Sequence, residues 1–246
     1  MLIAQISDIH AATDNHFLDD FERALQWLSQ LSPDVLVLTG DLIDETWHEG
    51  YKKIAGLLND QPYPTLLLPG NSDDPVLMRK TWSDTYWLAD EPSALLHFRY
   101  STESLDLLGI DSTVSGHVHG RLQGRLAWVE EHLMQSGTKP SMLFLHHHLF
   151  PSGIPTLDET MCRDRAELER IVMKYPGRVL AIATGHVHRP VAGTFAGVPT
   201  SICGAICSAN PLWFEAPIIP SVGEPPMLMV HRYVNGCLSS HHVAIR

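Results

Sequence analysis

The stretch Leu2-Ile3-Ala4-Gln5-Ile6-Ser7-Asp8-Ile9-His10 is a short apolar run of strand character that ends on a carboxylate and an imidazole. The same pattern recurs four times. Residues 35–39 lead into Gly40-Asp41, residues 65–68 into Pro69-Gly70-Asn71, residues 141–145 into His146-His147-His148, and residues 178–184 into Gly185-His186-Val187-His188. Residues 35–39 form a continuous apolar run closed by Thr39, as in strands buried on both faces. Between these runs lie helical patterns. In residues 17–31, Phe17, Leu18, Phe21, Leu25, Leu28 and Leu31 fall on one face. Residues 52–59 and 163–174 are shorter candidates, and residues 122–134 carry the stripe Leu122, Leu126, Val129 and Leu133. Residues 95–100 and 104–110 read as paired strands. Asn235-Gly236 between residues 227–233 and 237–245 is a hairpin signal. The alternation predicts an α/β fold of mixed sheets covered by helices.

In such folds ligands bind beyond the carboxyl ends of the strands, where all five polar motifs fall. Asp8 and His10 are two apart, as are His186 and His188. An extended exit would point each pair the same way, with Ile9 and Val187 turned into the core. Asp, Asn and His together form the mixed oxygen and nitrogen set that intermediate divalent metals prefer. This predicts a metal site with two ions, and Asp41 is the natural bridge. Two cations about 3.5–4 Å apart suit phosphoester hydrolysis, since they hold the nucleophile and stabilise both attacking and leaving oxygens.

The chain has 246 residues, 28 of them acidic and 17 basic, for a net charge of −11. That balance argues against a protein gripping polymeric nucleic acid, which needs a basic surface. A small anionic substrate is still compatible, because bound cations reverse the local potential. No signal-peptide pattern opens the sequence, and no apolar run approaches the roughly 20 residues of a membrane span. The four cysteines form no CxxC pair, and free thiols fit a reducing cytoplasm. No linker or repeat divides residues 1–246, which read as a single domain. Residues 211–226 form an apolar, proline-rich excursion (Pro211, Pro217, Pro220, Pro225, Pro226) suited to a lid, a homo-oligomer contact or a packed surface loop.

Asp-x-His, Gly-Asp, Gly-Asn, a strand-ending His and Gly-His-x-His, in that order, resemble calcineurin-like metallophosphoesterases. The phrases at residues 6–10, 38–44, 68–74, 144–150 and 184–188 look most like the bacterial branch of class III cyclic-nucleotide phosphodiesterases and glycerophosphodiesterases. The resemblance spans the chain. It implies a four-layer αββα sandwich and hydrolysis of small phosphodiesters, with phosphomonoesterase activity or a non-catalytic metal-binding module as alternatives. It also implies two transition-metal ions (Mn, Fe, Zn or Co). One would be held by Asp8, His10 and His188, the other by Asn71, His146 and His186, with Asp41 between them.

One departure matters. Most relatives carry a histidine after the Asn, thought to bind the phosphoryl group and protonate the leaving oxygen; here it is Ser72. A hydroxyl donates a hydrogen bond but is no acid near neutral pH. Asp41, Asn71 and Ser72 are the expected catalytic positions. Asn71, Ser72, His147, His117 and His119 are candidates for substrate contact. His117 and His119 belong to Gly116-His117-Val118-His119, a second copy of the Gly-His-x-His string. It lies in a polar loop, which argues against metal ligation and leaves substrate contact or replacement of the missing acid as the hypothesis to test.

Overall fold

The computed structural model describes residues 1–44, 47–83, 85–88 and 95–246. Its first sheet contains β1 (Leu2–Ile6), β2 (Val35–Leu38), β3 (Thr65–Leu67), β10 (Met227–Val234) and β11 (Cys237–Ala244), in the order β11-β10-β1-β2-β3. Strands β1, β2 and β3 are parallel, while β10 and β11 add an antiparallel hairpin. The second sheet contains β4 (Phe98–Ser101), β5 (Asp106–Ile110), β6 (Ser141–Leu145), β7 (Val179–Thr184), β8 (Val191–Phe195) and β9 (Val198–Ile202). Its order is β4-β5-β6-β7-β9-β8, with β5, β6, β7 and β9 parallel.

The period of two along each strand assigns the layers. Ile3, Val35, Val37, Leu66, Phe98, Leu107, Met142 and Phe144 point between the sheets. Their neighbours Ala4, Ile6, Leu36 and Leu38 meet Phe21, Leu25 and Leu28 of α1 (Phe17–Leu31) and Ile54 of α2 (Glu49–Asn59). On the far side, Leu108, Leu143, Leu145 and Ile182 meet Val129 and Leu133 of α4 (Ala127–Gln135) and Leu168 and Ile171 of α6 (Arg165–Lys174). These are the four αββα layers. Among the described residues two further helices, α3 (Pro75–Thr81) and α5 (Pro155–Asp158), are short.

Several elements differ from the sequence reading. Helix α2 starts at Glu49 rather than 52. The stripe predicted over 122–134 becomes helical only at Ala127, because Leu122 and Leu126 are buried from a turn rather than a helix. Helix α3 escaped the periodicity, since its signal is a cap: Asp74 accepts from the amides of Val76 and Leu77, with Pro75 opening the first turn. The hairpin of β8 and β9 was also missed. It turns on Ala196-Gly197, both with positive φ, and Ala in that position gives no turn signal. Cys162, Cys203 and Cys207 are buried, Cys237 is exposed, and all four are free thiols. In the 211–226 excursion, Trp213 donates to Ala216 O at 2.7 Å, while Ile218 and Phe214 are 80% and 67% exposed. No described helix is long and apolar enough to cross a membrane.

Candidate metal centre

The carboxyl ends of five parallel strands meet at one place, and the backbone there is not extended. Asp8 (φ 54°), His10 (48°), Asp41 (53°), His186 (72°) and His188 (55°) all occupy the left-handed region. A non-glycine residue there costs about 1–2 kcal/mol, and a cluster of five is strain that packing alone does not require. The turns still do what the spacing suggested, because Ile9 and Val187 are fully buried. The β1 exit is held against the β2 exit, with Asp8 N donating to Gly40 O at 3.0 Å and His10 N to Asp41 O at 3.0 Å. From the other sheet, His186 N donates to both carboxylate oxygens of Asp8, at 3.2 and 3.0 Å.

The side chains form two sets that share one carboxylate. In the first, His10 Nε2 lies 3.2 Å from His188 Nε2 and 3.3 Å from Asp41 Oδ2, and His188 Nε2 lies 3.4 Å from Asp8 Oδ1. In the second, His146 Nε2 lies 3.2 Å from His186 Nδ1, 3.3 Å from Asn71 Oδ1 and 3.4 Å from Asp41 Oδ2. The outer nitrogens fix what faces inward. His10 Nδ1 donates to Asp44 Oδ1 at 3.0 Å and His146 Nδ1 to the Thr39 carbonyl at 2.7 Å. Both acceptors lack protons, so each Nε2 turns a lone pair inward when its ring is neutral. Lone pairs of neighbouring imidazoles facing each other at 3.2 Å, beside buried carboxylates, call for a cation between them. The donor set therefore fits two intermediate metal ions.

The electrostatics make the same demand. Asp8 and Asp41 are 0% and 2% exposed. Burial opposes their ionisation, but His188 and His146 hold Asp8 below the usual carboxylate range, and His146 and His10 hold Asp41 well below it. Burial likewise disfavours charge on His10 and His146, yet Asp41 and Asp8 lift them to about 10 and about 9. Positive charge is needed here, and these two imidazoles carry it as protons unless metal displaces them. His186 behaves oppositely: burial and the neighbouring His146 push it down to about 3, leaving it neutral.

The remaining predicted residues lie nearby. Asn71 and Ser72 line a cavity of about 1210 Å³ together with Lys80, Arg125 and His117. Ser72 N donates to Asp41 Oδ1 at 2.8 Å, and its hydroxyl donates to Ile43 O at 3.0 Å. His117 is exposed on the cavity wall, whereas His119 does not line it, although the two rings are 4.9 Å apart. His147 is wholly buried, bonded through Nδ1 to Ser112 Oγ at 2.8 Å, with Nε2 unpartnered. It sits among His146 and His186 rather than on the cavity wall.

Residues 1–190 match the calcineurin-like phosphoesterase family. This chain is a calcineurin-like phosphoesterase. It is 30% identical to the glycerophosphodiester phosphodiesterase GpdQ of Enterobacter lignolyticus, over 95% of this chain and 87% of that one. It is 31% identical to a cAMP/cGMP dual specificity phosphodiesterase of Mycobacterium tuberculosis, over 87% and 70%. A dimetal phosphatase from Danio rerio shares the fold at a TM-score of 0.71 and 10% identity, covering 100% of this chain and 99% of that one.

The phosphoesterase also uses residues the sequence reading missed. Asp44 orients His10. Asp73 accepts from Gly70 N at 2.8 Å, Leu42 N at 3.1 Å and Tyr51 OH at 3.0 Å, which ties the Asn71 turn to the Asp41 turn. Burial and the charge of Asp41 lift Asp73 to about 7. Thr160 and Cys207 touch the outer nitrogens of His186 and His188. Asp44 and Asp73 follow the Asp41 and Asn71 motifs closely enough to be found by extending them. Nothing in the sequence marks Thr160 or Cys207.

Proposed function

We propose that this phosphoesterase hydrolyses small phosphodiesters of the cyclic-nucleotide or glycerophosphodiester type, using two transition-metal ions. The observation that carries the reading is the pair of facing donor sets sharing Asp41 beside the Asn71–Ser72 cavity. One ion would be held by Asp8, His10, Asp41 and His188, the other by Asp41, Asn71, His146 and His186. Mn, Fe, Zn and Co all suit these ligands. When bound, such ions supply Lewis acidity toward a phosphoryl oxygen and toward water.

The side chains do the rest. Asp41, which both ions would share, is held by the Ser72 amide, and Asn71 lines the cavity with its Oδ1 3.3 Å from His146 Nε2. The Ser72 hydroxyl proton is engaged by Ile43 O, so protonation of the leaving oxygen falls to another group or to solvent. Of the candidate substrate contacts, His117 and Ser72 line the cavity, His119 supports His117 from beside it, and His147 braces the ring of His186. The preference for diesters is supported by the relatives' activities and by a cavity larger than a lone phosphate requires. We read residues 1–246 as one domain acting in the cytoplasm on a small phosphoester, with the 211–226 excursion as a lid or homo-oligomer contact.

The test is hydrolysis of bis(p-nitrophenyl) phosphate and p-nitrophenyl phosphate by Mn²⁺-loaded protein, with Asn71→Ala as control. Diester cleavage exceeding monoester cleavage and lost in the variant is expected. Preference for the monoester would reassign the chain as a phosphatase. No cleavage of either despite bound metal would make it a binding module.

A further inference from the structure

His186 and His188 present different ring atoms to the site, Nδ1 in one and Nε2 in the other. Their backbones do not force this difference, since both are left-handed, with φ 72° and 55°. The difference lies in what holds the opposite side of each ring. Thr160, in the turn after α5, places Oγ1 2.6 Å from His186 Nε2 and 2.7 Å from Leu157 O. A hydroxyl has one proton. Leu157 O can only accept, so that proton goes to it, and Oγ1 accepts the Nε2–H of His186. Cys207 is buried and anchored through its amide to Asp8 O at 3.0 Å; it places Sγ 3.2 Å from His188 Nδ1 and 3.7 Å from Ser208 O. The same count sends the thiol proton to Ser208 O and leaves Sγ to accept Nδ1–H.

We infer that Thr160 and Cys207 are positioning residues that select the metal-facing nitrogen of the two histidines, Nδ1 of His186 and Nε2 of His188. The inference rests on the two-ion reading above. Partners of this kind fix tautomer and ring orientation at metal sites, and their loss typically weakens metal binding about 10- to 100-fold. The two are unequal. A hydroxyl at 2.6 Å is a firm acceptor, while a thiol sulfur is a weak one, so the ring of His186 is held more tightly in register than that of His188.

Two measurements test this. The first is a long-range ¹H–¹⁵N spectrum of the histidine rings in Zn²⁺-loaded protein. It is expected to show metal on Nδ1 of His186 with a proton on Nε2, and the reverse for His188; the opposite assignment for either overturns the inference for that residue. The second is Mn²⁺ titration by calorimetry. Thr160→Val is expected to weaken one of two binding events by about 10- to 100-fold, and Thr160→Ser to restore it. Cys207→Ala is expected to weaken the other event less, with Cys207→Ser as its rescue. Wild-type affinity for both ions in correctly folded Thr160→Val and Cys207→Ala would overturn the proposal. Failure of the wild type to bind any ion counts instead against the two-ion reading, and the ring spectrum of metal-free protein then decides the tautomer of His186 alone.

Discussion

The string Gly-His-Val-His occurs twice in this chain, at 185–188 and 116–119, and the two copies behave oppositely. The first leaves a buried parallel strand, with both histidines left-handed and within 3.4 Å of carboxylate or imidazole partners. The second leaves no strand: it closes a turn through His117 N to Val114 O, only Gly116 is left-handed, and its two rings lie 4.9 Å apart with His117 exposed on the cavity wall. Four identical residues therefore do not by themselves make half a candidate metal site. Position at a strand exit, a strained backbone and an acceptor behind each ring set the copy at 185–188 apart.

The largest expected effect separates the copies outright. His186→Ala and His188→Ala should each lower metal content and reduce diester hydrolysis by at least the roughly 10²-fold that loss of one catalytic group costs. His117→Ala with His119→Ala should leave metal content unchanged, as read by elemental analysis. The leading glycines sharpen the contrast. A methyl at Gly185 would collide with Ser7 Oγ and lie 2.8 Å from Asp8 Oδ2, whereas one at Gly116 meets nothing within 4 Å. Gly185→Ala should therefore cost about 1–3 kcal/mol by overpacking and loosen Asp8, with a matching loss of metal. Gly116→Ala should cost only the left-handed penalty of about 1–2 kcal/mol, with metal binding intact; both are read by thermal unfolding with and without Mn²⁺.

A smaller effect asks whether the second copy serves the substrate. His117→Ala should slow diesters with poor leaving groups by up to about 10²-fold and nitrophenyl diesters far less. Equal slowing would remove His117 from any role in protonation. The smallest effect concerns a histidine in neither string. His231 is buried between the sheets, bonded to Ser240 Oγ at 2.7 Å and Gln5 Oε1 at 3.2 Å, and burial lowers it from 6.5 to about 3. The unfolded chain takes up that proton first, so stability falls as pH drops from 6.5 towards 3 and is unaffected above. His231→Gln should flatten that part of the unfolding curve, and an unchanged slope would assign it to other groups.

The strand exits were legible because a polar residue capable of binding metal directly after an apolar run is conspicuous, and five such exits in one chain demand a common explanation. Mixed sheets covered by helices were legible for the same reason, since continuous apolar strands must be covered on both faces; the four-layer order came only from the family resemblance. The left-handed geometry of Asp8, His10, Asp41, His186 and His188 was not, because a period-two argument assumes an extended backbone. Thr160 and Cys207 were invisible because they reach the histidines from loops 26 and 19 positions away and are ordinary residues in an ordinary context. Ser72 was noticed as a substitution, but only its contact with Ile43 O shows where its proton goes.

The most direct test of the central claim is the number of metal ions per chain after equilibrium dialysis, measured for the wild type, for His188→Ala, and for the His117→Ala/His119→Ala double variant. Two ions per chain in the wild type and the double variant, with a reduced number in His188→Ala, is the predicted result. One ion or none in the wild type, or a loss in the double variant equal to that in His188→Ala, would contradict it.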